Sequence, residues 1–544
     1  MSTRVAPPVA APPAAAVPSS RALKVWAALG GVLALIAFLA SAEAVAVVIG
    51  AGSSPLVGVG GAVIDLAPPG AKNLMVALFG TGDKAALFAL MGVLLVIITA
   101  GAGLLERSRP PLGRVVFGVG GLLAILAVRT RAGAGNFDIV PSLVGAIVAT
   151  LVLHAVIARL FRWEAAARYD AGEMEVRPKL SPAMRSSGLE RRAFFRWTAL
   201  SAAAWAVVGA GARVINGAVV NAEALRAAVK LPAAAVTEDA APAGASLSVA
   251  GITPYITPNA DFYRIDTALS VPQIDPSTWS LQIEGLVETP ITLTWKQLLD
   301  LPLVEHTATL SCVSNEVGGD LIGNARWLGY PIRELLKRGA PDASADMVLS
   351  RSIDGFTAGT PLSVLQDDST QALLAIGMNG EPLPLEHGFP VRMVVPGLFG
   401  YVSATKWVTS LKVTRFADEK AYWSTRGWTE KGPAKLESRI DTPSGSKTVS
   451  AGTVPIAGVA WEPHTGVAAV EIRVDNGDWV EATLADSISD DTWRQWVYRW
   501  DATKGRHRIQ VRATSKDGKR QTAKYVPPAP DGAEGWDEVT VTVA

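Results

Sequence analysis

Five apolar stretches within the first 214 residues restrict this chain more than any other feature. They run over about 24–50, 85–105, 112–127, 139–160 and 197–214. Each approaches the roughly 20 residues that a helix needs to cross a bilayer core. Apolar residues make up 49% of the 544, and the excess lies in these stretches. The core of a large soluble protein rarely needs so many in so short a span. The spacing predicts an N-terminal all-α transmembrane bundle of about five helices. Arg21 and Lys24 precede the first stretch, Arg107, Arg109 and Arg114 separate the second from the third, and Arg159, Arg162 and Arg168 follow the fourth. These are alternate connections, so the excess of basic residues on the inner side puts them all in the cytoplasm. Arg129 and Arg131 fall on the other side and are the exception. Everything after about residue 216 is then outside: a multi-pass chain in the cell membrane with its large C-terminal part extracytoplasmic.

Three hydrophilic segments divide the rest. Residues 1–20, rich in Ala, Pro and Ser, read as a disordered tail. Residues 163–190 read as a charged cytoplasmic loop after the 21–162 four-helix region, and the Ala-rich 216–250 as a linker. The fifth span, 191–215, opens with Arg191-Arg192-Ala193-Phe194-Phe195. Paired arginines ahead of an apolar stretch serve as an ordinary inner-side anchor. They also resemble a twin-arginine export signal, a route that carries folded proteins.

From 251 to 433 the pattern is a mixed α+β domain. Trp279, Leu281 and Ile283 alternate as in a strand, 294–301 reads as a short helix, and Asn379-Gly380 as a tight turn. Strands are expected at 347–350, 373–378, 391–395 and 407–413, and a helix follows Pro331. From 434 to 544 the chain is all-β, with Asn476-Gly477 between two alternating runs, which predicts an immunoglobulin-like β-sandwich. Residues 216–544 carry 30 Lys/Arg against 39 Asp/Glu, so no nucleic-acid partner is expected.

The chain has one cysteine, Cys312. That excludes an intrachain disulfide, a four-thiolate iron–sulfur cluster and a Cys-rich zinc site. A lone cysteine is most often a small buried hydrophobe. Here, however, the alternating run from His306 ends at Cys312 and passes into polar and glycine-rich residues, a strand running out into a loop.

The stretch Met378-Asn379-Gly380-Glu381-Pro382-Leu383-Pro384-Leu385-Glu386-His387-Gly388-Phe389-Pro390-Val391-Arg392-Met393-Val394-Val395-Pro396-Gly397, with Gly400 and Lys406-Trp407 after it, resembles the sulfite oxidase family of molybdopterin enzymes. So do Leu310-Ser311-Cys312-Val313-Ser314-Asn315 and Asn324-Ala325-Arg326-Trp327-Leu328-Gly329. The resemblance covers about 250–544 and implies a catalytic, metal-ligating Cys312, a molybdenum–molybdopterin cofactor, and a dimerisation-type C-terminal domain. Thiolate is the one soft anionic side chain, and a pterin dithiolene brings the other sulfurs. The resemblance carries pterin contacts onto Asp354, His387, Arg392, Ser403, Thr405 and Lys406, and less closely onto Tyr263, Arg264 and Asp266. Arg392 can fork onto a phosphate and Lys406 adds a point charge.

Where sulfite-oxidising members read Cys-Ala-Gly-Asn-Arg-Arg, this chain reads Cys312-Val313-Ser314-Asn315-Glu316-Val317. An acid and an aliphatic residue replace both arginines, and a glutamate repels an oxyanion rather than steering it. The resemblance implies two-electron oxygen-atom transfer on a small sulfur or other oxo-accepting substrate, with sulfoxide reduction standing beside sulfite oxidation. A second reading is a surface binding protein with a vestigial cofactor domain. No haem is expected, because the five stretches hold only His154. Electrons would then pass to or from another protein or a quinone.

Overall fold

The computed structural model describes residues 17–67, 78, 83–131, 134–174, 186–219, 222–445 and 447–544. It divides into two units, Met1–Val219 and Val220–Ala544.

The first unit is helical: α1 (Ser20–Ile49), α2 (Pro55–Leu66), α3 (Asp83–Ser108), α4 (Leu112–Arg129), α5 (Val140–Asp170) and α6 (Ser187–Val219). All but α2 are long and apolar enough to cross a membrane. The 12 residues of α2 rise only about 18 Å, short of a bilayer core, so hydropathy over a span-length window passes over it. Glycine lets α1 and α3 touch backbone to backbone. A Cβ on Gly31 would lie 1.8 Å from the Thr99 carbonyl oxygen, and one on Gly103 would lie 2.0 Å from that of Ala27. Phe194 and Phe195 meet Trp26 of α1 edge-on at 5.8 and 4.8 Å, and Trp163 of α5 lies 5.7 Å from both rings.

Several boundaries differ from the sequence reading. The expected disordered tail lies mostly outside the described residues. Helix α5 runs on to Asp170 and α6 begins at Ser187, so the expected loop is partly helical and its residues 175–185 lie outside the described residues. Arg191 and Arg192 therefore sit within the opening turns of α6, where the Arg191 guanidinium lies 5.9 Å from the Phe195 ring. Glu106 reads from sequence as a solvated flank but is buried, accepting from the Arg114 Nε at 2.8 Å and its amide at 3.1 Å. Arg131, the exception to the charge rule, is paired with Asp65 of α2, which offsets its charge.

The second unit begins with a segment read from sequence as a free linker. Instead it is strapped down. Arg226 of helix α7 (Ala222–Ala228) donates to the carbonyls of Pro382 and Leu383, both at 2.9 Å. The Ala235 amide reaches Leu303 O at 2.7 Å, and Glu238 accepts the Thr307 amide at 3.0 Å. Backbone groups that an Ala-rich composition leaves without side-chain signal find partners here along a sheet edge.

The α+β lobe contains two sheets. One has the order β2 (Ile291–Thr294), β1 (Ser280–Gly285), β10 (Val408–Thr414), β5 (Met347–Ser352), β6 (Thr357–Pro361). The other has the order β3 (Val304–Ser311), β4 (Ile322–Pro331), β7 (Leu373–Met378), β8 (Glu381–Pro382), with β9 (Arg392–Val394) on β7. Helices α8 (Trp295–Leu299), α9 (Ile332–Gly339) and α10 (Leu362–Gln366) pack around them on a core of Leu281, Ile283, Leu335, Val348 and Leu411. Thr294 starts α8 with a capping box closed by Gln297. Asn379 and Gly380, at φ 52° and 83°, make the expected two-residue turn that pairs Met378 with Glu381.

The C-terminal domain is a sandwich of two sheets. One runs β11 (Glu437–Thr442), β13 (Gly452–Trp461), β17 (Arg494–Ala502), β16 (Thr483–Leu484). The other runs β12 (Thr448–Val449), β19 (Asp537–Val543), β18 (Gly505–Ser515), β14 (Val467–Val474), β15 (Val480–Glu481). Ile456, Trp496 and Val511 are fully buried between them. The β14–β15 hairpin forms, but its left-handed pair is Asp475-Asn476, at φ 52° and 65°, one residue before the Asn-Gly signal.

The sandwich grips the loop that joins β3 to β4. Glu437 accepts from Asn315 Nδ2 at 3.4 Å, Arg439 donates to Gly319 O at 2.8 Å, and the Tyr525 hydroxyl donates to Glu316 at 3.0 Å. Gly318, at φ 74°, lies so close to Asp537 that an added Cβ would come within 2.4 Å of a carboxylate oxygen. Burial pushes the Glu437 carboxyl up to about 8, with Glu534 and Asp537 adding to the effect and Asn315 and Arg439 opposing it. Asp537 is raised too, again by burial. The folded state thus holds a proton on Glu437 that the unfolded chain releases above pH 4.5. Its contribution to stability is full below that pH and is lost as pH rises through about 8. Glu437→Gln keeps an acceptor for Asn315 and removes the titration. The variant should unfold at the same temperature as the parent at pH 5 and at a higher one at pH 9, by a few kcal/mol of stability. Tryptophan fluorescence on heating reads this out, and a difference that does not change with pH would refute it.

Candidate functional site

Cys312 is the first residue past β3. Its amide donates to Leu321 O at 2.9 Å and its carbonyl accepts from the Asn315 amide at 3.0 Å, so both ends of the loop are pinned. Asn315 Oδ1 also accepts the Leu321 amide at 2.8 Å. The side chain is only 8% exposed, and Sγ accepts from the Ser314 amide at 3.4 Å. Burial pushes the thiol up, with Ser314 opposing. The sulfur is held in place and stays protonated until something that binds thiolate displaces the proton.

A group of cations lies near Tyr263. The phenol is raised by burial, then by the Cys312 thiol, while the Arg392 guanidinium opposes, so both groups are close enough to act on it. Its hydroxyl lies 3.8 Å from where a Cβ on Gly400 would be, with Ser311 O at 3.7 Å from the same point. Arg392, in β9, is buried over the face of Trp327 at 5.0 Å. It donates to Met393 O and His387 O, each at 3.2 Å, and no carboxylate among the described residues pairs with it. Burial pulls its guanidinium down to about 10, with Tyr263 opposing. His387 donates through Nε2 to Asn259 O at 3.1 Å. Burial, then Arg392 and Lys406, lower it to about 4, so it is neutral at physiological pH. Lys406 donates to Asp266 at 2.8 Å and to Glu386 O at 3.0 Å. Burial lowers it to about 8, with Asp266 opposing. Arg264 also reaches Asp266, at 2.9 Å. Gly388, at φ 114°, keeps this corner open: a Cβ there would lie 2.9 Å from that of Arg392 and 3.2 Å from that of Lys406.

Seven of the expected residues, Cys312, Tyr263, Arg264, Asp266, His387, Arg392 and Lys406, are thus linked in one region. The other three face their own scaffold. Ser403 donates to Phe399 O at 3.0 Å, Thr405 shares a hydrogen bond with Ser350 at 2.7 Å, and Asp354 accepts the Phe356 amide at 3.2 Å. Sequence reasoning overlooked Trp327 as the platform for Arg392, although it stands in the quoted motif, and Asn259 as the partner of His387. It also missed an aromatic wall. Val313, next to the cysteine, packs with Phe399, Tyr401, Trp423 and Trp428, the last three in mutual ring contact through Trp428 at 6.0 and 6.2 Å. No periodic pattern marks these rings, because they come from irregular segments.

The donor set suits a molybdopterin. Among the described residues no group of three or more His, Cys, Asp or Glu is arranged to hold a metal, so a metal at Cys312 brings its other ligands with it. A buried guanidinium without a carboxylate is costly unless an anion meets it, and a pterin phosphate is such an anion.

Residues 268–423 match the oxidoreductase molybdopterin binding domain family, and residues 437–511 match the bacterial Ig domain family. The first match includes Cys312, His387, Arg392 and Lys406 but begins after Asp266. The chain is 29% identical over 286 residues to human mitochondrial sulfite oxidase, covering 45% of this chain and 52% of that one. It is 30% identical over 303 residues to sulfite oxidase of Arabidopsis thaliana, covering 45% of this chain and 76% of that one. It thus spans about half the length of the human relative and three quarters of the plant one. Among solved structures, the sulfane dehydrogenase SoxCD from Paracoccus pantotrophus is similar at a TM-score of 0.47 and 24% identity, over 54% of this chain and 84% of that one. With its cysteine loop, its cationic corner and the plant relative covered over most of its length, the chain belongs to the sulfite oxidase-type family of molybdopterin-binding oxidoreductases.

Proposed function

We propose that this protein is a membrane-anchored molybdenum oxidoreductase that transfers an oxygen atom to or from a small sulfur substrate outside the cytoplasmic membrane, with two electrons passing the opposite way. The observation that carries the reading is the buried thiol of Cys312 together with a buried Arg392 that has no carboxylate partner among the described residues, both near Tyr263. When bound, the molybdenum cofactor supplies the redox centre and the exchangeable oxo group. Cys312 would ligate the metal, and its loop, held at both ends, fixes where the sulfur sits. Arg392 and Lys406 would take the pterin phosphate, Lys406 steadied by Asp266. Neutral His387, its Nε2–H given to Asn259 O, can accept a hydrogen bond from the pterin through Nδ1 but adds no charge. Arg264 and Tyr263 close the same corner, and Asp354, Ser403 and Thr405 would contribute through the loops they brace.

For substrate we favour a neutral organic sulfur compound such as a sulfoxide over sulfite. Glu316 takes an arginine position and is exposed, held by Tyr525, and the wall beside Val313 is aromatic. An acid with aromatic rings disfavours a dianion and suits an uncharged thioether or sulfoxide. The names of the relatives, sulfite oxidases, support sulfur chemistry in general.

The five long apolar helices and their charge asymmetry support an anchored chain whose second unit faces outward. Arg191 and Arg192 are the candidate export signal. Electrons would pass through a partner protein or a quinone, and 434–544 would pair two copies.

Molybdenum analysis of the purified protein, with turnover of methionine sulfoxide, sulfite and nitrate on artificial electron carriers, tests the proposal. The metal should be present, and Cys312→Ala should lower sulfoxide turnover at least about 100-fold. Protein from a cofactor-competent host that lacks the metal would refute the enzyme. Glu316→Arg should raise kcat/KM for sulfite about tenfold, and an unchanged value would remove Glu316 from substrate selection. Arg191→Lys with Arg192→Lys should leave the first four spans inserted and the second unit inside, as read by protease accessibility in intact cells. Full export of that variant would exclude the signal.

A further inference from the structure

On the flank of the helical unit, α1, α3 and α5 enclose a groove of about 840 Å³. Lys24, Arg107 and Arg168 converge on it with a single carboxylate, Glu164. Arg107 and Arg168 each donate to Glu164, at 2.9 and 3.0 Å, and a guanidinium has five N–H groups, so each keeps donors for another anion. Glu164 orients both forks while neutralising only one charge. Cations near the ends of α3 and α5 complement the helix dipoles. That does not account for Lys24, which lies near the start of α1, where the dipole opposes it, and pairs with no carboxylate among the described residues. Apart from Ser108, whose hydroxyl donates to Leu105 O, the rest of the groove is apolar: Leu104 is 39% exposed and Phe161 is 37% exposed, with the Arg107 guanidinium 5.5 Å above the Phe161 ring. A free inorganic anion gains nothing from such a wall, whereas an acyl chain does.

We propose that this groove binds an anionic phospholipid, its phosphate on Lys24, Arg107 and Arg168 and the start of an acyl chain along Leu104 and Phe161. The inference rests on the membrane reading above. It names a ligand and a site in the helical unit that the redox chemistry of the second unit does not require. It predicts a retained lipid rather than a fluid annulus, because two forks and an ammonium act on one phosphate at the depth of a headgroup.

The full-length protein, purified in detergent and delipidated, is titrated with phosphatidylglycerol, phosphatidylcholine or inorganic phosphate and followed by native mass spectrometry. Phosphatidylglycerol should be retained at about tenfold lower concentration than phosphatidylcholine. Lys24→Gln with Arg107→Gln should remove the preference, and Arg109→Gln, outside the groove, should keep it. Lys24→Gln alone, at an exposed position, should weaken it without disturbing the Glu164 pairs. Equal retention of the two lipids, an undiminished preference in the double variant, or competition by inorganic phosphate would overturn the proposal. Alkaline carbonate extraction of native membranes separates the two failures. A chain that resists extraction but shows no lipid preference refutes the lipid site alone. One released into the soluble fraction refutes the membrane reading and the site with it.

Discussion

The cysteine sits on a loop that two domains must agree on. Its backbone is closed by Cys312 and Leu321, its interior by Asn315, and its outer side by Glu437, Arg439 and Tyr525 of the sandwich. The same sandwich also reaches the strand that leads into the loop: the Thr309 amide donates to Asp491 O at 2.9 Å, and Thr309 Oγ1 accepts the Trp493 amide at 2.8 Å. The position of the sulfur is therefore a property of the interface. A ligand must be held to within a fraction of an ångström, and a loop held from one side only is the common way such precision is lost. Burying the acid Glu437 to make this grip is costly, and the cost is kept down by holding it protonated.

The cationic corner follows the opposite rule. Lys406 has its own carboxylate, Asp266, and that carboxylate is shared with Arg264. Among the described residues Arg392 has only carbonyls and the face of Trp327. One cation of the three is therefore left to be neutralised from outside the polypeptide. An anion that met this guanidinium would stabilise the folded chain by binding it. Tyr263 is close enough to both the thiol and the guanidinium to feel each of them.

What could be read from the sequence divides along physical lines. The long helices were visible because a bilayer-length apolar run has few other uses, and the hairpin at Asn379-Gly380 because few residue pairs take two positive φ angles. The seven candidate residues that the fold brings into one region were singled out through motif, since Arg392 alone looks like any strand charge. Four features stayed hidden. α2 is too short to stand out in hydropathy, and the strap at 222–240 is fixed by backbone hydrogen bonds that Ala-rich composition does not reveal. The burial of Glu106 at the end of α3 depends on Arg114 of α4 reaching back across the connection between the two helices, which spacing along one helix does not show. The aromatic wall of Tyr401, Trp423 and Trp428 gathers distant loop residues, and no local pattern encodes that.

The solitary and buried state of Cys312 also limits the thiol chemistry open to the chain. With no second thiol, no internal mispairing is available during folding, and the remaining hazard is a bond between two chains. The pinned loop removes that hazard as soon as the fold closes over the sulfur. Chemically, the chain carries a single built-in alarm: any thiol reagent that labels it reports that the clasp between loop and sandwich has opened.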